Sequence, residues 1–242
     1  MAEFDTIRST SQSDAHVSID TGLRAHMNKV YGLMAVAMII TGSVAWSIGT
    51  SPQLVYALFS NQIISLLIMF APLGFVFFLS ARVMKMSYAG GQLAFWLFSA
   101  LMGLSLSTIF VAYTGTSIAN AFFTTAVAFG AMSLFGYTTK KDLSGMGRFL
   151  FMGVIGLIVA MIINWFTQSP GLEFAINVLG VLIFAGLTAY DTQNIKNTYL
   201  GLRSSPNGEE IAAKAGILGA LSLYINFLNM FMFLLQFMGN RE

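Results

Sequence analysis

The sequence predicts an all-α, polytopic membrane protein with seven transmembrane helices, and three observations carry that expectation. Charged residues are scarce: 12 Lys or Arg and 10 Asp or Glu, 9% of 242 residues, against ~25% in a typical soluble domain. Hydrophobic residues make up 56%, so too few polar side chains exist to cover a water-facing surface. Seven apolar runs of about 18 or more residues follow one another, each long enough at ~1.5 Å per residue to cross the hydrocarbon. Disorder is excluded by the aromatic content, and barrel strands by runs that are continuous rather than alternating.

In chain order, residues 1–27 are polar and read as a disordered cytoplasmic tail. They lack the basic start, short apolar core and small-residue cleavage site of a signal peptide. The membrane domain is expected over 28–239. The first helix is placed at about 29–49, ending before Ser51-Pro52, and the second at 58–80, with Pro72 inside it. The third spans 91–113, opening at Gly90-Gly91, and Gly115 separates it from the fourth at 118–136. The fifth covers 149–168 and stops at Ser169-Pro170-Gly171; the sixth covers 173–191. Ser205-Pro206-Asn207-Gly208 precedes the seventh at 217–238. Gly, Pro, Asn and Ser at these joints are turn formers.

Basic residues orient the bundle. Arg8, Arg24, Lys29, Arg82, Lys85, Lys140, Lys141, Arg148, Lys196, Arg203 and Lys214 fall at the tail and alternate loops, leaving Arg241 alone at the other end. An excess of Lys and Arg marks the cytoplasmic side, so the N-terminus is expected inside and the C-terminus outside. Seven tyrosines sit near helix ends, as interfacial rings do, while Tyr224 is the interior exception.

Rows of small residues, such as Ser99, Gly103 and Ser107, suit close helix packing in lipid. The seventh segment carries more information. Gly219, Ser222, Asn226, Asn229 and Gln236 recur at three- and four-residue steps, forming one polar stripe. Amides facing hydrocarbon are costly, so this helix is expected at the centre of the bundle. Nearly all acids lie in the tail, loops or ends; Asp191, within Ala189-Tyr190-Asp191-Thr192-Gln193, is left at the edge of the sixth helix. An ionisable residue there is a functional candidate, the alternative being an interfacial carboxylate paired with a neighbouring base.

Enzymatic readings find little support, and the chain is expected not to be an enzyme. The chain has no cysteine, which excludes disulfides and thiolate metal sites. Both histidines, His16 and His26, fall in or beside the tail, and neither HExxH nor a phosphate-binding glycine loop is present. No cofactor is expected, and a net charge of +2 gives no reason to expect nucleic acid.

Several stretches are familiar in combination: Ser80-Ala81-Arg82, Gly103-Leu104-Ser105-Leu106-Ser107-Thr108-Ile109-Phe110 and Gly136-Tyr137-Thr138-Thr139-Lys140-Lys141-Asp142-Leu143. Phe184 to Gln193 and Ala220 to Phe227 complete the set. In this order they resemble the Bax inhibitor-1 family, also called the transmembrane Bax inhibitor motif family, in its bacterial branch. The resemblance implies a pH-gated calcium leak of low turnover in the inner membrane, with two aspartates sharing a proton near the cytoplasmic mouth and an arginine latching onto them. The first aspartate matches Asp191 and the arginine matches Arg82; the second position holds Asn226 instead.

That departure has a physical consequence. Two close carboxylates sense pH because both cannot be ionised cheaply, and an amide removes the like-charge term. Asp191 is then expected to pair with Arg82 and Asn226, with pH gating weaker than or shifted from that of two-aspartate relatives. Calcium prefers 6–8 oxygen ligands with several carboxylates. Asp191 with oxygens of Asn226, Asn229, Ser222 and Thr188 therefore implies only a weak, transient calcium contact. Besides the lipid bilayer and calcium ions, a membrane protease or another membrane protein is a candidate partner, in a reading as a non-transporting modulator. A conduit for protons or another cation is the third reading.

Overall fold

A backbone crossing hydrocarbon has to satisfy its own N–H and C=O groups, and helices do so along their length. The computed structural model, which describes residues 2–203 and 205–240 with side chains from Thr21 onward, meets this requirement with nine α-helices among the described residues. They are α1 (Ala2–Gly49), α2 (Pro52–Phe59), α3 (Gln62–Arg82), α4 (Tyr88–Leu106) and α5 (Ile109–Ala112), then α6 (Gly115–Thr138), α7 (Ser144–Thr167), α8 (Pro170–Leu202) and α9 (Gly208–Met238). Seven segments are long and apolar enough to cross a membrane: Thr21–Gly49, Gln62–Lys85, Tyr88–Ala112, α6, α7, α8 and α9.

The boundaries depart from the hydrophobic runs where local chemistry or packing overrides them. Ahead of the second crossing, Pro52 starts the separate short helix α2, and α3 begins anew because Asn61 Oδ1 accepts from the amides of Ile63 (2.9 Å) and Ile64 (3.3 Å). The third crossing is interrupted where the Ser107 amide bonds to the Leu104 carbonyl, three residues back, leaving α5 as a single turn. The sixth helix runs on to Leu202 instead of ending at 191, held by buried Thr192, Gln193 and Ile195. The seventh starts at Gly208 rather than 217. Side chains of the first twenty residues of the expected tail lie outside the described residues; from Thr21 onward α1 is already packed, with Leu23 and Met27 buried.

Helix α9 is the hub. Helices α1, α4, α6 and α8 pack around it, while α3 leans on α4 and α7 on α8. Burial separates the two classes: 61% of the apolar window of α9 is buried, against 17% for α3 and 6% for α7. The outer helices present Phe, Ile, Leu and Met outward, as helices in lipid do.

One seam shows how close packing and hydrogen bonding depend on each other. On α4, a Cβ added to Gly103 would sit 2.6 Å from the Thr41 carbonyl oxygen of α1 and 2.8 Å from Val44 Cβ. This approach brings Thr41 Oγ1 within 2.9 Å of the Ser99 carbonyl and 2.6 Å of the Tyr224 hydroxyl. The single Thr41 proton goes to a carbonyl, so the Tyr224 hydroxyl donates to Thr41. Its ring meets Phe95 and Phe98 edge-on. The interior tyrosine is therefore a core tie among α1, α4 and α9.

Gly103→Ala is expected to lower the thermal midpoint of the detergent-solubilised protein, an overpacking cost of about 1–3 kcal/mol. Gly74→Ala on α3 meets nothing within 4 Å and should leave the midpoint unchanged or raise it through helix propensity.

Candidate functional site

Helix α8 has 33 residues, about 50 Å at 1.5 Å per residue. The stretch from Pro170 to Asp191 accounts for about 32 Å of this, close to the ~30 Å hydrocarbon thickness. Asp191 therefore stands near the membrane edge opposite Pro170, and 192–202 continue past it. The early start of α9 at Gly208 gives the facing wall.

Two cavities meet at this level. A membrane cavity of about 360 Å³ lies between α7, α8 and α9, walled by apolar side chains such as Leu157, Phe184 and Phe233, with Asn226 and Asn229 as its amides. A smaller vestibule of about 190 Å³ lies between α1, α8 and α9, lined by His26, Asn194, Thr198, Tyr199 and Gly219 among others. Asp191 and Ser222 line both. These two side chains form the partition between the cavities.

The carboxylate is held in place. Asn226 Nδ2 donates to Asp191 Oδ2 at 2.7 Å, a charge-assisted distance, and Asn226 is itself buried. An ionised carboxylate only accepts, so the amide must present its nitrogen. Of the other expected site residues, Ser222 stands on the partition and Asn229 lines the membrane cavity while donating to the Ile225 carbonyl at 2.8 Å. Thr188 is turned into its own helix, donating to the Phe184 carbonyl at 2.8 Å, and lines neither cavity. Among the described residues no group of three His, Cys, Asp or Glu is placed to hold a metal ion.

The expected Arg82–Asp191 pair does not form in this structure. Arg82 ends α3, is exposed, and lines neither cavity. The reason is topological: α3 packs on α4, away from α8, and Asn226 from the neighbouring α9 takes the position next to the carboxylate.

The structure adds three residues that sequence reasoning missed. His26 reaches the vestibule that holds Asp191 and stacks on Tyr199, with ring centroids 4.6 Å apart. The signal was available, since buried Leu23, Met27, Val30, Met34 and Ala37 extend one helical stripe back past 28. Gln193 ties α8 to the α6–α7 loop, accepting from the Leu143 amide and donating to the Lys141 carbonyl, both at 2.8 Å. Lys196 Nζ donates to the Tyr137 carbonyl at 2.8 Å. In the same loop, Asp142 accepts from the Ser144 amide at the start of α7. Hydrogen bonding from Ser144 holds this exposed carboxyl below the usual aspartate range. That contact is present above the ordinary pKa and is lost as pH falls through the lowered one.

A central helix with one polar stripe, outer helices with apolar exposed faces and, among the described residues, a carboxylate shared by two cavities define a multi-pass helical membrane protein. The chain belongs to the Bax inhibitor-1 family. The family model described as "Inhibitor of apoptosis-promoting Bax1" matches residues 23–242. The chain is 44% identical over 231 residues to the inner membrane protein YbhL of Escherichia coli K12, covering 96% of this chain and 98% of that protein. An uncharacterized protein of Caulobacter vibrioides is 46% identical over 246 residues, with 97% and 96% of the two chains covered. One from Rickettsia prowazekii is 40% identical over 239 residues, covering 99% of each.

Gln193→Leu removes both bonds to the α6–α7 loop while keeping side-chain bulk. Hydrogen exchange at the Leu143 amide is expected to speed up roughly tenfold, as losing one net hydrogen bond implies, with exchange inside α9 unchanged.

Proposed function

We propose that the protein is a non-enzymatic, calcium-permeable leak or slow transporter of the inner membrane, with Asp191 at its gate. The observation that carries this reading is the position of Asp191 and Ser222 on the partition between the membrane cavity and the vestibule. A cation moving between the two spaces passes a carboxylate, a hydroxyl and an amide, which attract it without a ligand set large enough to trap it. The distribution of basic residues supports a cytoplasmic vestibule and N-terminus in this reading. The E. coli relative is an inner membrane protein, which supports the same location here.

Gating follows from the same geometry. The Asn226 amide satisfies the carboxylate without adding a second negative charge, so the like-charge repulsion of a carboxylate pair is missing and pH gating is weaker than or shifted from that of such a pair. Arg82 contributes to closure only if α3 swings toward α8, since in this arrangement it stands apart from Asp191. A single carboxylate beside amides is not calcium-selective by construction, and this observation favours a second reading as a conduit for protons or another cation.

The test is flux into liposomes loaded with a calcium indicator and, in parallel, a pH indicator. Calcium entry that falls at least tenfold in Asp191→Asn supports the leak; proton movement without calcium entry supports the second reading. Flux of neither ion, with a membrane protease or other membrane protein co-purifying, would instead mark a non-transporting modulator. Asn226→Asp is expected to make calcium entry steeply pH-dependent between acid and neutral pH, against a flatter profile for the unaltered chain. Equal steepness in the two would overturn the role given to Asn226.

A further inference from the structure

Helices α1 and α6 both pack on α9 and touch each other through Tyr31 and Ser133, with open space along their seam to either side. Two cavities make up this space. One, of about 510 Å³, has Arg24, Asn28, Tyr31, Ser133 and Tyr137 in its wall. The other, of about 500 Å³, is lined by apolar side chains including Met34, Met38, Ile39, Phe122 and Phe227. Tyr31 and Phe129 line both, so the two spaces lie end to end along the α1–α6 seam and are taken together as one lateral groove. Its polarity is divided lengthwise, with every charged and amide group at the Arg24 end.

We infer that this groove binds one anionic phospholipid of the bilayer, its phosphate at Arg24 and one acyl chain along Met34, Met38, Phe122 and Phe129. Length supports the fit. The apolar part runs from Tyr31 to Gly42, eleven steps of about 1.5 Å or about 16 Å of helix, and one leaflet contributes about half of the ~30 Å hydrocarbon. The head end supplies the complementary charge. Among the described residues Arg24 enters no ion pair, and its guanidinium suits bidentate contact with phosphate. Lys196, whose Nζ lies 5.4 Å from the Tyr137 ring centroid, adds a second positive charge on the same side. Basic pockets between transmembrane helices are a recurrent setting for anionic headgroups.

The head end is also ordered before any lipid arrives. Tyr31 OH and Ser133 Oγ are 2.5 Å apart, Ser133 and Thr192 hydroxyls are 3.0 Å apart, and Thr192 donates to the Thr188 carbonyl at 2.8 Å. This hydroxyl chain joins the groove to α8 one residue from Asp191.

Native mass spectrometry of the full chain in detergent tests the inference, with phosphatidylglycerol and phosphatidylcholine of identical acyl chains offered together. One lipid should be retained, phosphatidylglycerol over phosphatidylcholine by roughly fivefold or more, as one basic side chain at a headgroup implies. Arg24→Gln, at an exposed position, should bring the ratio toward one. Gly42→Leu with Gly130→Leu fills the groove from two sites where an added Cβ meets nothing within 4 Å, and should remove both lipids. Gly74→Leu, equally open but on α3, should retain them. Equal retention of both lipids by the unaltered chain overturns the inference. So does a preference that survives Arg24→Gln, lipid that survives the filled groove, or a protein retained in place of lipid.

Discussion

Hydrocarbon gives no hydrogen bonds, and the arrangement of this bundle follows from that constraint acting on one helix. Helix α9 carries Ser222, Tyr224, Asn226 and Asn229 among Leu, Met and Phe. Left facing lipid, each would hold an unpaired donor or acceptor at a cost of several kcal/mol. The structure removes most of the problem by surrounding α9: Ser222 lines the two cavities, and the other three polar groups each find a different solution. Tyr224 joins Thr41 across the α1–α4 seam, Asn229 returns to its own helix, and Asn226 meets the carboxylate of Asp191. The outer helices then need no polar partners, which is why α3 and α7 can be almost wholly apolar on their exposed faces.

Asp191 and Asn226 depend on each other in the same way. A carboxylate near the end of the hydrocarbon is costly unless neutralised or hydrogen-bonded, and an amide that must donate needs an acceptor with a free lone pair. Neither α8 nor α9 supplies both partners alone. The contact also requires backbones close enough for side chains this short to meet, which Gly219 of α9 permits against Ile195 of α8. A cavity on either side of such a contact is a packing defect kept at a polar partition, where an ion or water can replace the missing contacts.

The number of crossings, the central place of α9 and the isolation of Asp191 were legible in the residues, because each rests on a one-dimensional property: run length, three- and four-residue periodicity, or the tally of acids outside the tail and loops. The limits of α8 and α9 were not. A hydropathy run ends where the lipid-facing requirement ends, but a helix continues as long as neighbours bury it, and Thr192, Gln193 and Ile195 are buried by α6, α9 and the α6–α7 loop. Composition alone puts His26 at the edge of a polar tail, although the stripe of Leu23, Met27 and Val30 has helical spacing. Thr188 illustrates the opposite failure. Its place one turn before Asp191 suggested a ligand, whereas its hydroxyl is taken by the carbonyl four residues back, a habit of buried threonines in helices.

By itself, the sequence determined that this chain lies in a membrane, how many times it crosses, which helix has to be shielded and which carboxylate is left without a second acid. Those follow from transfer free energies, which belong to residues and short windows. Which groups meet was decided by tertiary structure alone. Asp191 is joined by Asn226 while Arg82 stands apart, and His26 shares a vestibule with a carboxylate 165 positions away. The reason is that helix order around α9 and the small residues at its seams set which side chains come within the ~3 Å of a hydrogen bond. That geometry has no counterpart in the hydropathy of any single segment.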